Sequence, residues 1–354
     1  MSVKKVLVIR FRRIGDAVLS VVICSSIRKS FPEAEIHYVL NDHIAPLFEN
    51  HPDIDKIITF SNEENNHFFK YLRKVRQLMK TERYDVIIDT RATIKTLWFS
   101  AFSLRTKYRI GTSKFYNHFF HNYRVRNHVN DDLDEVVRNL LLLRPLERER
   151  KLIMTTDFRL YVTEQETAEF KSYMEQKGIN FSRFIVVCTP FTRVAGKAWD
   201  MAKMKEILSR IIQRYGAQLI FNYSRIEKEA ALALYEDMGK DEHIFINIEA
   251  DSLRKLVSML ETADFFFGNE GGPRHIAQAC HLPGLAIYPP WVELPRWLPS
   301  NDPRYQSVSP FDMFPGQVIE GRTEKELFDL LSVEYVWERL QPMMDEAFIN
   351  CAFE

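Results

Sequence analysis

The feature that most limits what this chain can fold into is an alternation that runs through it twice. Short apolar runs of strand length take turns with amphipathic stretches of helical length. In the first half, "KVLVIR" (5–10), residues 36–40, "KIITF" (56–60) and "YDVIID" (84–89) read as buried strands. Helical segments over about 16–30, 44–50 and 67–81 separate them. Helical returns between strands impose right-handed crossovers and a parallel sheet. After residue 89 the pattern loses definition through "FYNHFFHNYRVRNHVN", before a helix over about 132–143.

The alternation restarts at "TEQETAEFKSYMEQKG" (163–178), where Thr163, Glu166 and Gly178 are the marks of a capped helix with a glycine stop. "FIVVCTP" (184–190), "AQLIFNY" (217–223), "HIFINI" (243–248), "DFFFG" (264–268) and "GLAIYPP" (284–290) then read as strands. The proline- and tryptophan-rich "PPWVELPRWLPSNDPRYQSVSP" is expected to be a loop, and residue 323 onward to be helical. The expected fold class is therefore α/β, with two Rossmann-like doubly wound domains over 1–160 and 161–322 and a helical segment over 323–354. A length of 354 residues fits two cores better than one.

Composition narrows the function classes. With 46% hydrophobic and 27% charged residues, disordered and collagen-like chains are excluded. Forty-eight basic residues balance 48 acidic ones, which argues against a general nucleic-acid binder. Cys24, Cys188, Cys280 and Cys351 are far apart and form no Cys-x-x-Cys pair, so they resemble neither a zinc site nor a disulfide framework. Only four consecutive apolar residues, Val6 to Ile9, precede Arg10, too few for a signal-peptide core, and no apolar run approaches 18 residues. A reduced, cytoplasmic protein is expected.

Doubly wound sheets bind ligands at the carboxyl ends of their strands, and three motifs fall there. "RFRRIGDAVLS" follows the first strand with Gly15 alone, where a nicotinamide-dependent oxidoreductase needs Gly-x-Gly-x-x-Gly. Asp16 stands at the expected helix N-cap, either as that cap, worth about 1 kcal/mol, or as a general base aimed into the ligand site. Arg10, Arg12 and Arg13 surround it, solvated or in contact with an anionic substrate. "CTPFTRVAGKAWD" offers Thr189, Thr192 and Arg193 as polar contacts. Its Lys197 is either surface or a phosphate clamp. "GNEGGPRHIAQAC" (268–280) is a strand-to-helix corner with Asn269, Glu270, Gly271, Gly272 and His275. It is either a tight turn or a phosphate seat, since glycines admit a ligand to the backbone and a helix start favours negative charge. No set of acids and histidines shows metal-ligand spacing. Phosphate here would be neutralised by lysine, histidine and helix dipole rather than by a divalent ion.

Taken together, "VLVIRFRRIGDAVLS…FPEAEIHYVLNDHIAPLFENHPDIDKII" and "SLRKLVSMLETADFFFGNEGGPRHIAQACHLPGLAIYPP" resemble glycosyltransferase family 9, the lipopolysaccharide heptosyltransferases, from residue 4 to about 290. The resemblance implies a GT-B fold, two Rossmann-like domains facing each other across a cleft, with the C-terminal helix crossing back to the first. It implies an inverting enzyme that needs neither metal nor cofactor and moves a sugar, usually heptose from ADP-heptose, to a lipopolysaccharide core or related glycolipid. Carried over by position, Asp16 becomes the base, and Lys197, with Thr192 just ahead, faces the donor phosphates. Glu270, Gly271, Gly272, Pro273 and His275 form the phosphate corner, and Glu227 contacts the ribose. Arg12, Arg13, Arg91 and Lys95 suggest an anionic acceptor. A lipid-linked acceptor in turn implies peripheral contact with the inner face of the inner membrane. The sequence departs from the family at Glu270 (usually Asp), Gly271 (usually a hydroxyl residue), Asp200 (usually Pro) and "FNYSRIEKE", which lacks the usual glycine. These departures bear on donor identity more than on glycosyl transfer. The alternatives are the oxidoreductase, disfavoured by the missing glycines, and a nucleotide-sugar-binding module without transfer activity, a kind usually exported.

Overall fold

A computed structural model describes residues 3–126, 133–194, 196–292, 294–298, 302–314 and 321–353. The chain divides into two compact units, Met1–Tyr161 and Val162–Glu354.

The first unit is built on β1 (Lys5–Ile9), β2 (Glu35–Asn41), β3 (Lys56–Phe60), β4 (Val86–Asp89), β5 (Tyr108–Thr112) and β6 (Tyr123–Val125), a parallel sheet of order β3-β2-β1-β4-β5-β6. Val6, Leu7, Val8 and Ile9 of β1 are all buried, as a central parallel strand covered on both faces requires. The helix Phe68–Glu82 buries Tyr71, Val75 and Met79, one residue per turn, in a cluster with Leu7, Ile9 and Val39. The helical stretch after β1 forms two segments, Ile14–Ser20 and Val22–Ser30, where one helix was expected.

The second unit repeats the plan with β7 (Ile185–Thr189), β8 (Gln218–Phe221), β9 (Ile244–Phe245), β10 (Phe265–Asn269), β11 (Gly284–Ile287) and β12 (Tyr305–Val308), all parallel in the order β12-β11-β10-β7-β8-β9. The expected capping box is present. Thr163 Oγ1 accepts from the Glu166 N–H at 3.2 Å, and Glu166 Oε2 accepts from the Thr163 N–H at 2.8 Å. β12 occupies part of the expected loop, because Tyr305 and Val308 are buried when the segment pairs with β11. The helix Val333–Phe353 packs on the helix Met201–Tyr215 of the same unit. Val336, Leu340 and Met344 form an apolar stripe that joins the core around Leu208 and Ile211, and Asp345 accepts from Arg214 at 3.0 Å and from the Tyr215 hydroxyl at 2.8 Å. Among the described residues no helix is long and apolar enough to cross a membrane.

Read outward from its first strand, each sheet places strands two and three on one side and four to six on the other. The winding reverses between β1 and β4, and again between β7 and β10. At such a switch point the connections leave in opposite directions and open a crevice at the carboxyl ends of the strands. In the second unit that crevice depends on a missing side chain. Gly268 has φ +155°, and a Cβ there would lie 2.3 Å from Thr189 Oγ1 and 2.5 Å from its carbonyl oxygen. Gly268→Ala is therefore expected to cost about 3 kcal/mol or more, seen as a lower urea midpoint. An unchanged midpoint would mean that β7 and β10 need no such close approach.

Candidate functional site

In the first unit the crevice is organised by Arg10, the residue directly after β1. Its side chain is buried. Nη2 donates to Asp16 Oδ1 and, at 3.0 Å, to Glu135 Oε1, while Nη1 donates to Thr90 Oγ1 at 3.2 Å. Thr90 follows β4, so one guanidinium spans both strands of the switch point. Burial opposes the charge on Arg10, but the carboxylates of Asp16 and Glu135 outweigh it and raise its pKa above the ordinary guanidinium value.

Asp16 is not the helix cap. The helix begins at Ile14, and its N-cap is Arg13, whose side chain makes no capping bond. A charge-assisted bond to a buried guanidinium is stronger than one to a lone backbone N–H, and Asp16, the third helical residue, takes it. Its Oδ2 carries no hydrogen bond from the described residues. Arg91, half-buried beside this group, has its pKa lowered first by burial and then by the charges of Arg10 and Arg12. Arg12 and Arg13 are exposed, and Arg12 holds a φ of 111°, a strain of order 1–3 kcal/mol of the kind found at functional sites. Lys95 is already committed. Its Nζ donates to Asn65 O at 2.8 Å and to Asn65 Oδ1 at 2.7 Å, and it lies 4.7 Å from the Tyr71 ring centre. That ties the Lys95 loop to the short helix Asn62–Asn66 and leaves the ammonium little to offer an acceptor.

In the second unit the same position is held by Asn269, the last residue of β10. Its Oδ1 accepts from the Trp199 N–H at 2.9 Å, and its Nδ2 donates to Pro190 O at 2.7 Å. One buried amide therefore pins both ends of the loop that carries Thr192 and Lys197. Lys197 Nζ meets Glu270 Oε2 at 3.1 Å, so these two candidates are brought together. The Thr192 hydroxyl donates to Val194 O at 2.9 Å. Glu227 caps its own turn, accepting from the Ser224 N–H at 2.6 Å and from its hydroxyl at 2.5 Å. Gly271 is not required by the turn. Gly271 is extended, a Cβ on it would meet only Pro273 Cδ at 3.7 Å, and Gly272 opens the helix Gly272–Ala279.

His275, buried on that helix, shows a definite protonation geometry. Arg274 Nη1 lies 2.9 Å from His275 Nδ1, and the same guanidinium donates to Trp297 O at 2.9 Å and to Gln278 Oε1 at 2.7 Å. A guanidinium can only donate, so Nδ1 must be the bare nitrogen and the proton sits on Nε2. Burial first, and the charge of Arg274 second, hold the imidazole pKa well below its ordinary value. His275 is thus a neutral Nε2–H donor.

Sequence reading missed Thr90, Glu135, Asn269 (as an anchor) and Arg274. Two of them, Thr90 and Asn269, stand at strand ends that the switch-point rule selects once the strand order is known. Among the described residues one group has metal-ligand geometry, Glu35, His37 and Glu82. It lies at the amino edge of the first sheet, where Lys5 Nζ already sits 3.0 Å from Glu35 and 2.5 Å from Glu82.

The sequence family matching residues 72–302 is glycosyltransferase family 9 (heptosyltransferase). The chain belongs to that family. This family 9 glycosyltransferase is 24% identical over 298 residues to lipopolysaccharide heptosyltransferase 3 of Escherichia coli (strain K12), with 79% of this chain and 83% of that one covered. Its fold is similar to that of the glycosyl transferase family 9 from Veillonella parvula DSM 2008, with a TM-score of 0.82 at 15% identity and 98% of each chain covered. It is also similar to E. coli heptosyltransferase WaaC with ADP-2-deoxy-2-fluoro heptose, with a TM-score of 0.68 at 16% identity over 97% of this chain and 99% of that one. At these identities the structures establish a shared fold. Lys197, Glu270 and His275 lie inside the span matched to the family, and Arg10 and Asp16 lie before it.

The state of His275 can be read directly. Nitrogen NMR is expected to show it neutral and protonated at Nε2 at pH 7, with no titration near 6.5. The unfolded chain takes up that proton below about pH 6.5 and the folded one resists it, so this part of the stability is present above pH 6.5 and is lost as the pH falls. The limiting slope is about 1.4 kcal/mol per pH unit, and His275→Asn should flatten it. A His275 resonance titrating near 6.5 would contradict the assignment.

Proposed function

We propose that this enzyme is an inverting, metal-independent heptosyltransferase that moves heptose from ADP-heptose to a lipopolysaccharide core or related glycolipid acceptor, with Asp16 as general base. The observation that carries the reading is the state of Asp16 beside the switch point of the first sheet: one carboxylate oxygen is fixed by Arg10, and the other takes no hydrogen bond from the described residues. The named relatives support the sugar and the acceptor class, and the WaaC structure with an ADP-heptose analogue supports the nucleotide.

The acceptor hydroxyl donates its hydrogen bond to Asp16 Oδ2. As the oxygen attacks the anomeric carbon from the face opposite the diphosphate, its proton passes to Asp16. The bond from the anomeric carbon to the phosphate oxygen breaks, and the departing nucleoside diphosphate keeps the electron pair. Its growing negative charge is met by Lys197, by the Nε2–H of His275 and by the N–H groups at the start of the helix Gly272–Ala279. Thr192 and Glu227 add contacts to the phosphates and ribose, and Arg12, Arg13 and Arg91 face the anionic acceptor. A lipid-linked acceptor places the enzyme at a membrane surface.

Asp16→Asn keeps an acceptor for Arg10, which Glu135 still neutralises, so the variant should fold. Its turnover should fall by at least the roughly 10²-fold typical of a lost general base, with ADP affinity little changed. Near wild-type turnover would reduce Asp16 to a counter-ion of Arg10. Donor binding without any transfer in the wild-type protein would favour the binding-module reading instead.

The Lys197–Glu270 pair is tested by opposite signs. Lys197→Ala should weaken ADP binding by about 1.5–3 kcal/mol, the range of a charge-assisted bond. Glu270→Gln removes a competing anion from the same ammonium and should tighten ADP binding. Calorimetry showing both variants weaker, or neither changed, would move the phosphate seat elsewhere.

A further inference from the structure

The second unit holds a buried arginine whose surroundings differ from those of Arg10. Arg274, the third residue of the helix Gly272–Ala279, is only 4% exposed. Its three hydrogen-bond partners, His275 Nδ1, Trp297 O and Gln278 Oε1, are all neutral. No carboxylate among the described residues is ion-paired with it. Glu270 acts on its charge from a distance, but that carboxylate is already paired with Lys197 at 3.1 Å. A guanidinium stays protonated in a protein. The fold therefore keeps a permanent positive charge at the strand-to-helix corner with no bonded anion to balance it, an arrangement that is costly when the charge is buried.

The same corner offers few other donors. Gly271 and Gly272 have no side chain to give, and Pro273 lacks even a backbone N–H. His275 is buried, and its Nε2–H has no acceptor among the described residues. Arg274 acts on that hydrogen through the ring. By donating to Nδ1 it confines the proton to Nε2. A cation bonded to one ring nitrogen also draws electron density toward itself and strengthens the N–H on the other, as in any polarised chain of hydrogen bonds. The imidazole has little freedom to leave this arrangement. The Trp297 ring stands edge-on to it at 6.2 Å, and Arg274 holds the Trp297 carbonyl at 2.9 Å.

We propose that Arg274 is a positioning residue for the diphosphate: it fixes His275 as an Nε2–H donor, and the bound diphosphate is the anion that balances its charge. The corner then discriminates by charge, taking a diphosphate and gaining nothing from a neutral nucleoside. This rests on the phosphate seat proposed above, to which it adds a residue that touches no phosphate itself. Were Arg274 only a prop for the Trp297 segment, its loss would weaken charged and neutral ligands alike.

The test is calorimetry of the full chain with inorganic pyrophosphate, ADP and adenosine, on the wild type, Arg274→Gln and Arg274→Lys. Glutamine keeps an N–H donor for His275 Nδ1 but no charge; lysine keeps both. Arg274→Gln should weaken pyrophosphate and ADP binding by roughly tenfold or more, the size of a lost charge-assisted interaction, and leave adenosine unchanged. Arg274→Lys should bring both anions back to within about threefold of the wild type. Nitrogen NMR should show His275 protonated at Nε2 in both variants, which assigns the loss in Arg274→Gln to charge. Wild-type pyrophosphate affinity in Arg274→Gln overturns the proposal. So does an equal loss of all three ligands in both variants, the signature of a prop. Wild-type protein that binds pyrophosphate but not ADP would instead count against the ADP-heptose reading, and the pyrophosphate comparison would still decide the role of Arg274.

Discussion

A buried guanidinium has to be neutralised where it lies, and Arg10 is neutralised from two sides. Asp16 comes from the adjoining helix, whereas Glu135 lies 125 residues along the chain. Removing Arg10 would leave both buried carboxylates uncompensated, at a cost of about 3–5 kcal/mol, whereas either acid alone still balances it. The helix Glu135–Leu141 is therefore held against the first strand's end by charge as well as by packing. Its Asn139 adds a bond from Nδ2 to Leu19 O at 3.3 Å. The result is a carboxylate with one oxygen immobilised. In the proposed role of Asp16 as general base, orientation of this kind favours proton transfer, because no rotamer has to be frozen when the acceptor hydroxyl arrives.

The two sheets share a strand order, and so each has its opening in the same place, but the openings are furnished in opposite ways. The first presents acids around a cation. The second presents an ammonium, a neutral imidazole donor and a helix start, with Glu270 as the one carboxylate bonded to the ammonium. In each, a single polar side chain at the strand end does the fastening: Arg10 across β1 and β4, Asn269 across β7 and β10.

The fully buried strands were legible because continuous apolar runs such as Val6–Ile9 and Phe265–Phe267 allow little else. β5, β6 and β12 were not. "YRIGT", "YRV" and "YQSV" mix polar with apolar residues and are too short for a period to emerge. Asp16 was singled out as a helix cap or a general base, and the cap is the reading that the structure overturns. The guanidinium that takes it is six residues away and becomes a neighbour only after the strand turns into the helix. Glu135 and Arg274 carried no local signal, since their roles come from partners that folding supplies. Lys95 was read as available because a sequence shows a charge and not the Asn65 carbonyl beside it. The C-terminal helix has an apolar stripe that any complementary face would satisfy. Its partner was a matter of topology, which periodicity does not encode.

Gly268 and Gly271 divide a labour between them. The strand glycine bears the steric constraint, because β10 cannot pass Thr189 with a side chain there, whereas Gly271 has an extended backbone and open space around the missing Cβ. In the proposed function, backbone integrity and ligand chemistry therefore sit on different residues of the same corner. Position 271 can gain or lose a hydroxyl without disturbing the fold, and position 270 can exchange one acid for another. A side chain added at position 271 would therefore change the surface of this corner and leave the backbone beneath it in place.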